Sequence, residues 1–196
     1  HTLRHHSFGA DPRMTAALFP AITQKLFYSM YFTFYTLISF SGFFLGLLSV
    51  LVLVFVRRPL SYPNRMLSLC LFSLTYLMFV STLVESDAIL KLPHFFRTAS
   101  PVIYLIAPSA YLYVRAVLEE ENRFKLIDGL HFLPALLHFF ELVPFYLQPA
   151  ELKVELLQMI QLNLDQELEL QEGILPAYFH AFLKILLGLI YFTVQF

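Results

Sequence analysis

A run of 31 residues without a formal charge, from 26 to 56, constrains the fold of this chain more than any other feature. About 20 apolar residues in a helix cross the hydrocarbon core of a bilayer, so this run is long enough to span one. A second uncharged run, of 19 residues, lies between Arg65 and Glu85. Backbone amides in lipid must be hydrogen-bonded within their own segment. We therefore predict an all-α fold, a polytopic transmembrane helix bundle.

The composition supports this class. Hydrophobic residues make up 58% of the chain and charged residues 14%, whereas soluble domains have about 45–50% and about a quarter. The mean hydropathy is +0.67. A net charge of −1 provides no basic footprint for nucleic acid, and a single cysteine, Cys70, excludes a disulfide framework. Charged residues divide the chain into five predicted spans, at about 31–56, 66–84, 98–118, 129–147 and 174–196.

The two ends of the sequence are treated separately. The chain opens on His1 and stops within an apolar run, and we expect it to be a truncated part of a larger membrane domain. Residues 1–13 show no periodicity. We interpret residues 1–25 as an N-terminal tail, partly disordered or non-native, and residues 26–196 as the membrane domain.

Three arginines predict the orientation in the membrane. Arg57, Arg58 and Arg65 lie within nine residues that contain no acid, and such loops stay in the cytoplasm. Counted over all connections and the tail, basic residues divide evenly, six on each side. The density of this one loop therefore decides the prediction, which places the amino terminus outside.

The longest connection, 148–173, is then extracytoplasmic and carries six acidic residues against Lys153 alone. Its first part has a helical stripe formed by Leu152, Leu156, Met159, Ile160 and Asn163. We expect an amphipathic helix that rests on the bilayer or caps the bundle. A lid or contact surface for a cationic ligand is the alternative.

Ionisable residues within the last two spans predict a polar pocket. His138 and Glu141 are three residues apart, and His180 and Lys184 are four apart, so each pair shares a helix face. At about 1.5 Å of rise per residue, Glu141 and His180 both lie ~9 Å below the outer boundary. His138 and Lys184 lie a turn deeper, nearly level with each other. Ionisable residues at such depth are costly and suggest function.

Three uses of this pocket remain open at this point. The four side chains could hold the helices together, sense a ligand or a proton, or bind a metal. Two histidines and one glutamate are weak evidence for the last, so no metal and no cofactor is assigned. His131, near the cytoplasmic end, is interpreted as an interfacial side chain, and Arg115 as a residue that snorkels to the surface.

Glycines and prolines provide secondary candidates. Gly42 and Gly46 have the spacing that lets membrane helices approach closely. Pro108, Pro134 and Pro144 are predicted to kink their helices, line a cavity or act as hinges. No phosphate-binding glycine loop, nucleophile elbow or zinc-protease motif is present in the sequence. We therefore expect no enzymatic activity.

Four short segments resemble a known family. They are residues 57–67 (RRPLSYPNRML), the turn 92–94 (LPH), residues 107–115 (APSAYLYVR) and residues 128–134 (DGLHFLP). Together they are similar to the membrane-embedded amino-terminal region of AraC-type helix-turn-helix transcriptional regulators of Bacteroidetes. The resemblance covers about residues 37–196. One departure is Ala107, where the family often has glycine before the proline.

The resemblance implies a sensory role. In that family a seven-helix membrane region precedes a cytoplasmic DNA-binding domain, so this chain would hold five of seven helices and meet DNA only through a domain outside it. It also implies a bacterial inner-membrane location, a homodimer and a small-molecule or envelope signal. A kinase or LytTR-type output, a standalone membrane protein and a small transporter are the alternatives. An intramembrane enzyme is a further rival, disfavoured because Glu141 is the one carboxylate within the last two spans.

Overall fold

The structure, a computed structural model, describes residues 30, 34–56, 61–121, 123–162 and 174–195. Within these ranges the chain is helical and contains no strand. The long helices are α1 (Phe34–Val56), α2 (Tyr62–Glu85), α3 (Ala99–Leu118), α4 (Leu133–Tyr146), α5 (Ala150–Leu162) and α6 (Ala177–Gln195). The last turn of α1, Val52–Val56, is a π-helix. Short 3-10 helices lie at Ala88–Leu90, Pro93–Phe95 and Leu126–Phe132. The predicted all-α class is confirmed for the described part of the chain.

In the part of the chain that the structure describes, four helical segments are long and apolar enough to cross a membrane. They are Phe34–Val56, Tyr62–Glu85, Ala99–Leu118 and Leu126–Tyr146. The last joins the 3-10 helix to α4, so the fourth segment begins three residues before the predicted 129. The predicted fifth span corresponds to α6, whose apolar part, Tyr178–Val194, is shorter than these four. The predicted tail 1–25 and the loop residues Arg57 and Arg58 lie outside the described residues.

Helix α1 packs against α2 through its glycines. A side chain at Gly46 would overlap the Thr75 side chain, so the two backbones approach closely there. A Cβ at Gly42 would lie 3.4 Å from the flexible Met78 side chain. The rings of the next residues in each helix, Phe43 and Phe79, lie 5.5 Å apart. The glycine spacing therefore serves helix packing, as the sequence indicates.

The prolines occupy different positions in the helices. Pro108 is buried inside α3, and Pro144 lies inside α4 two residues before its end. Pro134 stands in the first turn of α4, at the transition from the 3-10 helix. A proline there loses no hydrogen bond, because the first amides of a helix have no partner within it. The predicted kink at Pro134 is therefore a helix start.

Helix α5 covers one end of the bundle. Its Leu157 and Ile160 join a buried cluster with Phe96 and Phe145. The expected helix is present, and two residues of its predicted stripe, Ile160 and Leu156, lie in or against this cluster. Two others do not: Leu152 is 50% exposed and Met159 47%, whereas Lys153 is 1% exposed. The side of α5 that packs on protein, including the turn Pro93–Phe95, is therefore displaced by about one residue from the stripe. Asn163 and the acidic residues that follow lie outside the described residues.

Candidate intramembrane polar site

The structure brings the four predicted pocket residues together. His138 and Glu141 lie on α4, and His180 and Lys184 lie on α6. His138 is 5% exposed and His180 8%. Both helices also contact α3, which closes the third side of the site. The site therefore joins three helices, not two.

Glu141 lies at the centre of the contacts. Its Oε1 accepts a hydrogen bond from the backbone N–H of Leu175 at 2.7 Å, just before α6 begins. Its Oε2 lies 3.2 Å from His138 Nδ1 and 2.8 Å from His180 Nε2. The contact with His180 is close enough for an ion pair, yet the buried Nε2 makes no hydrogen bond. Glu141 Oε2 therefore contacts both histidines, and its contact with His180 Nε2 is not aligned as a hydrogen bond.

Helix α3 contributes Ser100 and Tyr104, which the sequence analysis did not single out. Ser100 Oγ accepts a hydrogen bond from Lys184 Nζ at 2.8 Å and lies 2.8 Å from His138 Nε2. The Tyr104 hydroxyl donates to the backbone carbonyl of His180 at 3.3 Å and lies at the same distance from His180 Nδ1. Lys184 Nζ also lies 5.6 Å from the centre of the Tyr104 ring. The two residues are four apart on one helix face, a signal of the same kind as the two predicted pairs.

The two imidazole rings lie side by side. Their centres are 4.0 Å apart and their planes are inclined by 36°. As a result, one ligating atom each from His138, Glu141 and His180 lies within 4.8 Å of the other two. This donor set is one that binds transition-metal ions in proteins.

A cavity of about 430 Å³ opens beside the three residues. Its remaining wall is formed mainly by apolar side chains, which come from α4, α6 and the segment before α6: Pro134, Leu137, Ile174, Leu175, Phe179 and Leu183. Small-molecule sites in proteins commonly combine an apolar wall with a few convergent polar groups. The arrangement is therefore suited to a small ligand with one polar end. A second, almost wholly apolar groove of about 370 Å³ lies between α3 and α4.

A second polar cluster lies at the opposite end of α3. Arg115 Nη2 donates to Asp128 Oδ1 at 2.7 Å, and the Tyr62 hydroxyl donates to Asp128 Oδ2 at 3.1 Å. Arg115 also pairs with Glu121 at 3.2 Å. The prediction that Arg115 snorkels to the surface was wrong, because a fully buried carboxylate holds its guanidinium within the protein.

His131 likewise has a defined partner. Its Nδ1 lies 2.7 Å from the Tyr191 hydroxyl on α6, and its ring packs 5.4 Å from that of Tyr111 on α3. The predicted interfacial side chain therefore packs between helices. This contact joins α3 and α6 to the 3-10 helix Leu126–Phe132 that leads into α4, about two turns from His138.

Lys153 is a buried cation outside the membrane-length helices. Its Nζ donates to the backbone carbonyl of Tyr146 at 2.8 Å and lies 3.1 Å from His94 Nδ1. It also lies 5.5 Å from the centre of the Phe145 ring. Burial lowers the pKa of Lys153 below its ordinary value, because the ammonium form loses water that these groups replace only in part.

Comparison with known proteins leaves the family unassigned. No protein-family model, no curated protein and no solved structure matches the chain. The site must therefore be interpreted from its own chemistry.

Proposed function

We propose that this chain is the membrane-embedded sensory region of a bacterial one-component transcriptional regulator. Its amino terminus lies outside the inner membrane, and an AraC-type DNA-binding domain outside this sequence provides the output. The chain itself binds lipid and a signal, and nucleic acid is bound only through that domain. Full-length molecules act as homodimers.

One observation carries the proposal: a polar network joins α3, α4 and α6 around a cavity. Lys184 and His138 both meet Ser100, while His138 and His180 both meet Glu141. A group that enters the cavity therefore changes contacts on three helices at once. A sensor needs this property, because its ligand must bind two arrangements of the helices with different affinities.

The second polar cluster supports the resemblance to the regulator family. Tyr62, Arg115 and Asp128 come from three of the four resembling segments, and they meet in one hydrogen-bonded group. His94, in the remaining segment, contacts Lys153. The motifs that carry the resemblance thus contain residues that hold helix ends together. A helix architecture shared with the regulator family would require such residues.

In the proposed mechanism, the signal changes how α6 sits against α3 and α4. Glu141 binds both the His180 side chain on α6 and the backbone at Leu175 before it. A ligand that competes for Glu141 would loosen or tighten the contact between the start of α6 and α4. That movement would pass to the segments that follow and alter the spacing of the two DNA-binding domains.

The test is a reporter assay with the full-length regulator in its native host. The double variant Glu141→Ala with Lys184→Ala should fix the output at one level regardless of the signal, compared at matched membrane abundance. Glu151→Ala with Lys91→Ala removes the same two charge types at exposed sites and should leave the response unaltered. An unchanged response in the pocket variant would overturn the proposal. Solute flux into proteoliposomes that depends on Glu141 would instead identify a transporter.

A further inference from the structure

His180 and Glu141 meet through a nitrogen and a carboxylate oxygen that are close but not aligned as a hydrogen bond. The Tyr104 hydroxyl donates its proton to the His180 carbonyl, so at His180 Nδ1 it accepts one. With its proton on Nδ1, a neutral His180 has an unprotonated Nε2. That nitrogen lies 2.8 Å from a carboxylate oxygen and has no hydrogen bond. In this tautomer the two acceptors need a cation between them, which either a proton on Nε2 or a bound metal ion supplies.

We infer that His138, Glu141 and His180 form a binding site for a divalent transition-metal ion of the Zn²⁺ type. Bonds of about 2.0–2.1 Å at a tetrahedral angle place neighbouring ligand atoms about 3.3 Å apart. The separations from Glu141 Oε2 to His138 Nδ1 and to His180 Nε2 are 3.2 and 2.8 Å. Two edges of the tetrahedron are therefore nearly formed. An ion also lies off the line between its ligands, which suits a pair that is close but not aligned for hydrogen bonding.

The outer contacts of the two imidazoles fit this role. A histidine that binds a metal normally donates its other N–H to a fixed acceptor, which sets the ring's orientation and tautomer. Here Ser100 Oγ lies 2.8 Å from His138 Nε2, and the Tyr104 oxygen lies 3.3 Å from His180 Nδ1. Each outward-facing nitrogen thus has a hydroxyl partner on α3. The inward-facing nitrogens, of which His138 Nδ1 contacts Glu141 in the metal-free chain, would turn their lone pairs to the ion.

The fourth ligand position belongs to the cavity. All three ligating residues border the cavity of about 430 Å³, so a water molecule or an anionic donor has room to complete the coordination. Lys184, held at Ser100, adds a positive charge that favours an anion there. Sites with three protein ligands and one exchangeable position are those at which zinc is chemically accessible, whereas purely structural sites use four protein ligands. The metal site depends on geometry alone. The idea that the metal ion is the signal of the sensor rests on the proposed function.

The test uses the full chain in lipid nanodiscs with Zn²⁺, and with Co²⁺ as a coloured substitute. We expect one Zn²⁺ per chain and the intense visible absorption of four-coordinate Co²⁺. His138→Ala, Glu141→Gln and His180→Ala should each weaken Zn²⁺ binding by at least tenfold and abolish the colour. Ser100→Ala and Tyr104→Phe should weaken it by about 10- to 100-fold, as outer contacts do. His131→Ala removes a histidine with no ligating neighbours and should bind as the wild type does.

The outcomes separate the two proposals. Binding equally strong in the three ligand variants, or no Co²⁺ colour in the folded wild-type chain, would overturn the metal site. If a ligand variant fails to fold, Tyr104→Phe, which keeps the ring packing, decides: unchanged affinity counts against the site. The sensor is tested separately by the reporter. A zinc site whose loading leaves the reporter unmoved keeps the metal site and removes zinc as the signal of the sensor. A reporter response that needs Glu141 in a chain that binds no metal keeps the sensor and overturns the metal site.

Discussion

His180 Nε2 lies 2.8 Å from Glu141 Oε2, although the two residues are 39 positions apart and stand on different helices. The contact ties the start of α6 to the end of α4, and Glu141 strengthens it by accepting the Leu175 N–H. A carboxylate in lipid is costly, so these contacts decide whether α6 stays in place. The pocket is thus a structural joint as well as a binding site.

Glu141→Ala should destabilise the bundle even when a chelator has removed metal ions. His138 Nδ1 and the Leu175 N–H would lose their acceptor, and each buried group left unpaired costs about 1–3 kcal/mol. Glu141→Gln keeps an acceptor oxygen and should cost less. Unfolding in detergent measures both. Glu151→Ala, on the exposed face of α5, should stay within about 0.5 kcal/mol of the wild type; an equal loss at both positions would contradict the role of Glu141.

The convergence of the pocket could be predicted from the sequence, because depth follows from residue count in a regular helix. His138 and Lys184 were expected at one level, and both contact Ser100 Oγ. Ser100 and Tyr104 have the same four-residue spacing but are uncharged, so burial in lipid does not mark them as costly groups. The spacing alone does not show which face of α3 meets the other helices.

The face of α5 shows a second limit of sequence reasoning. A stripe of apolar residues predicts a buried face when water covers the other side. In an interfacial helix lipid can cover apolar residues as well as protein can, so the stripe alone does not select the side that packs on protein: Leu152 and Met159 are exposed while Lys153 is buried. A buried lysine in an acidic connection has no sequence pattern that distinguishes it from a solvated one.

Arg115→Ala should cost about 3–5 kcal/mol of stability, since it leaves Asp128 as an unpaired, fully buried carboxylate. Arg115→Lys should restore only part of this, because an ammonium cannot reproduce the planar guanidinium contacts to Asp128 and Glu121. A double-mutant cycle between Arg115→Ala and Asp128→Ala isolates the pair. Lys125→Ala, where the side chain is 55% exposed, should change stability by no more than about 1 kcal/mol. Strict additivity in the cycle would argue against the ion pair.

Gly46→Ala should separate α1 from α2. The new methyl group would overlap the Thr75 side chain, and overpacking of this kind costs about 1–3 kcal/mol. The same change at Gly188 meets nothing within 4 Å and should stabilise α6 by up to about 1 kcal/mol, since alanine favours the helix. Adding Thr75→Ala to Gly46→Ala should recover part of the loss. Crosslinking between cysteines placed on α1 and α2 reports the separation; equal effects at the two glycines would contradict the close approach.

Lys153 should make the stability of the α5 cap depend on alkaline pH. Its pKa in the folded chain is lowered from 10.5 by burial. Between the lowered value and 10.5 the unfolded chain holds the proton more often than the folded chain does. Stability therefore rises with pH across that interval, and it is reduced by a constant amount below it.

The variant Lys153→Met tests this sign, because it keeps an unbranched side chain while removing the titrating group. The difference in unfolding free energy, wild type minus variant, should become more positive as pH rises toward 10.5. Lys91→Met removes a charge at an exposed turn and corrects for the general effect of net charge. A difference that stays flat with pH would mean that the Tyr146 carbonyl and His94 replace the water lost by the ammonium completely. Cap and bundle would then be joined through these hydrogen bonds without any cost from burial of the charge.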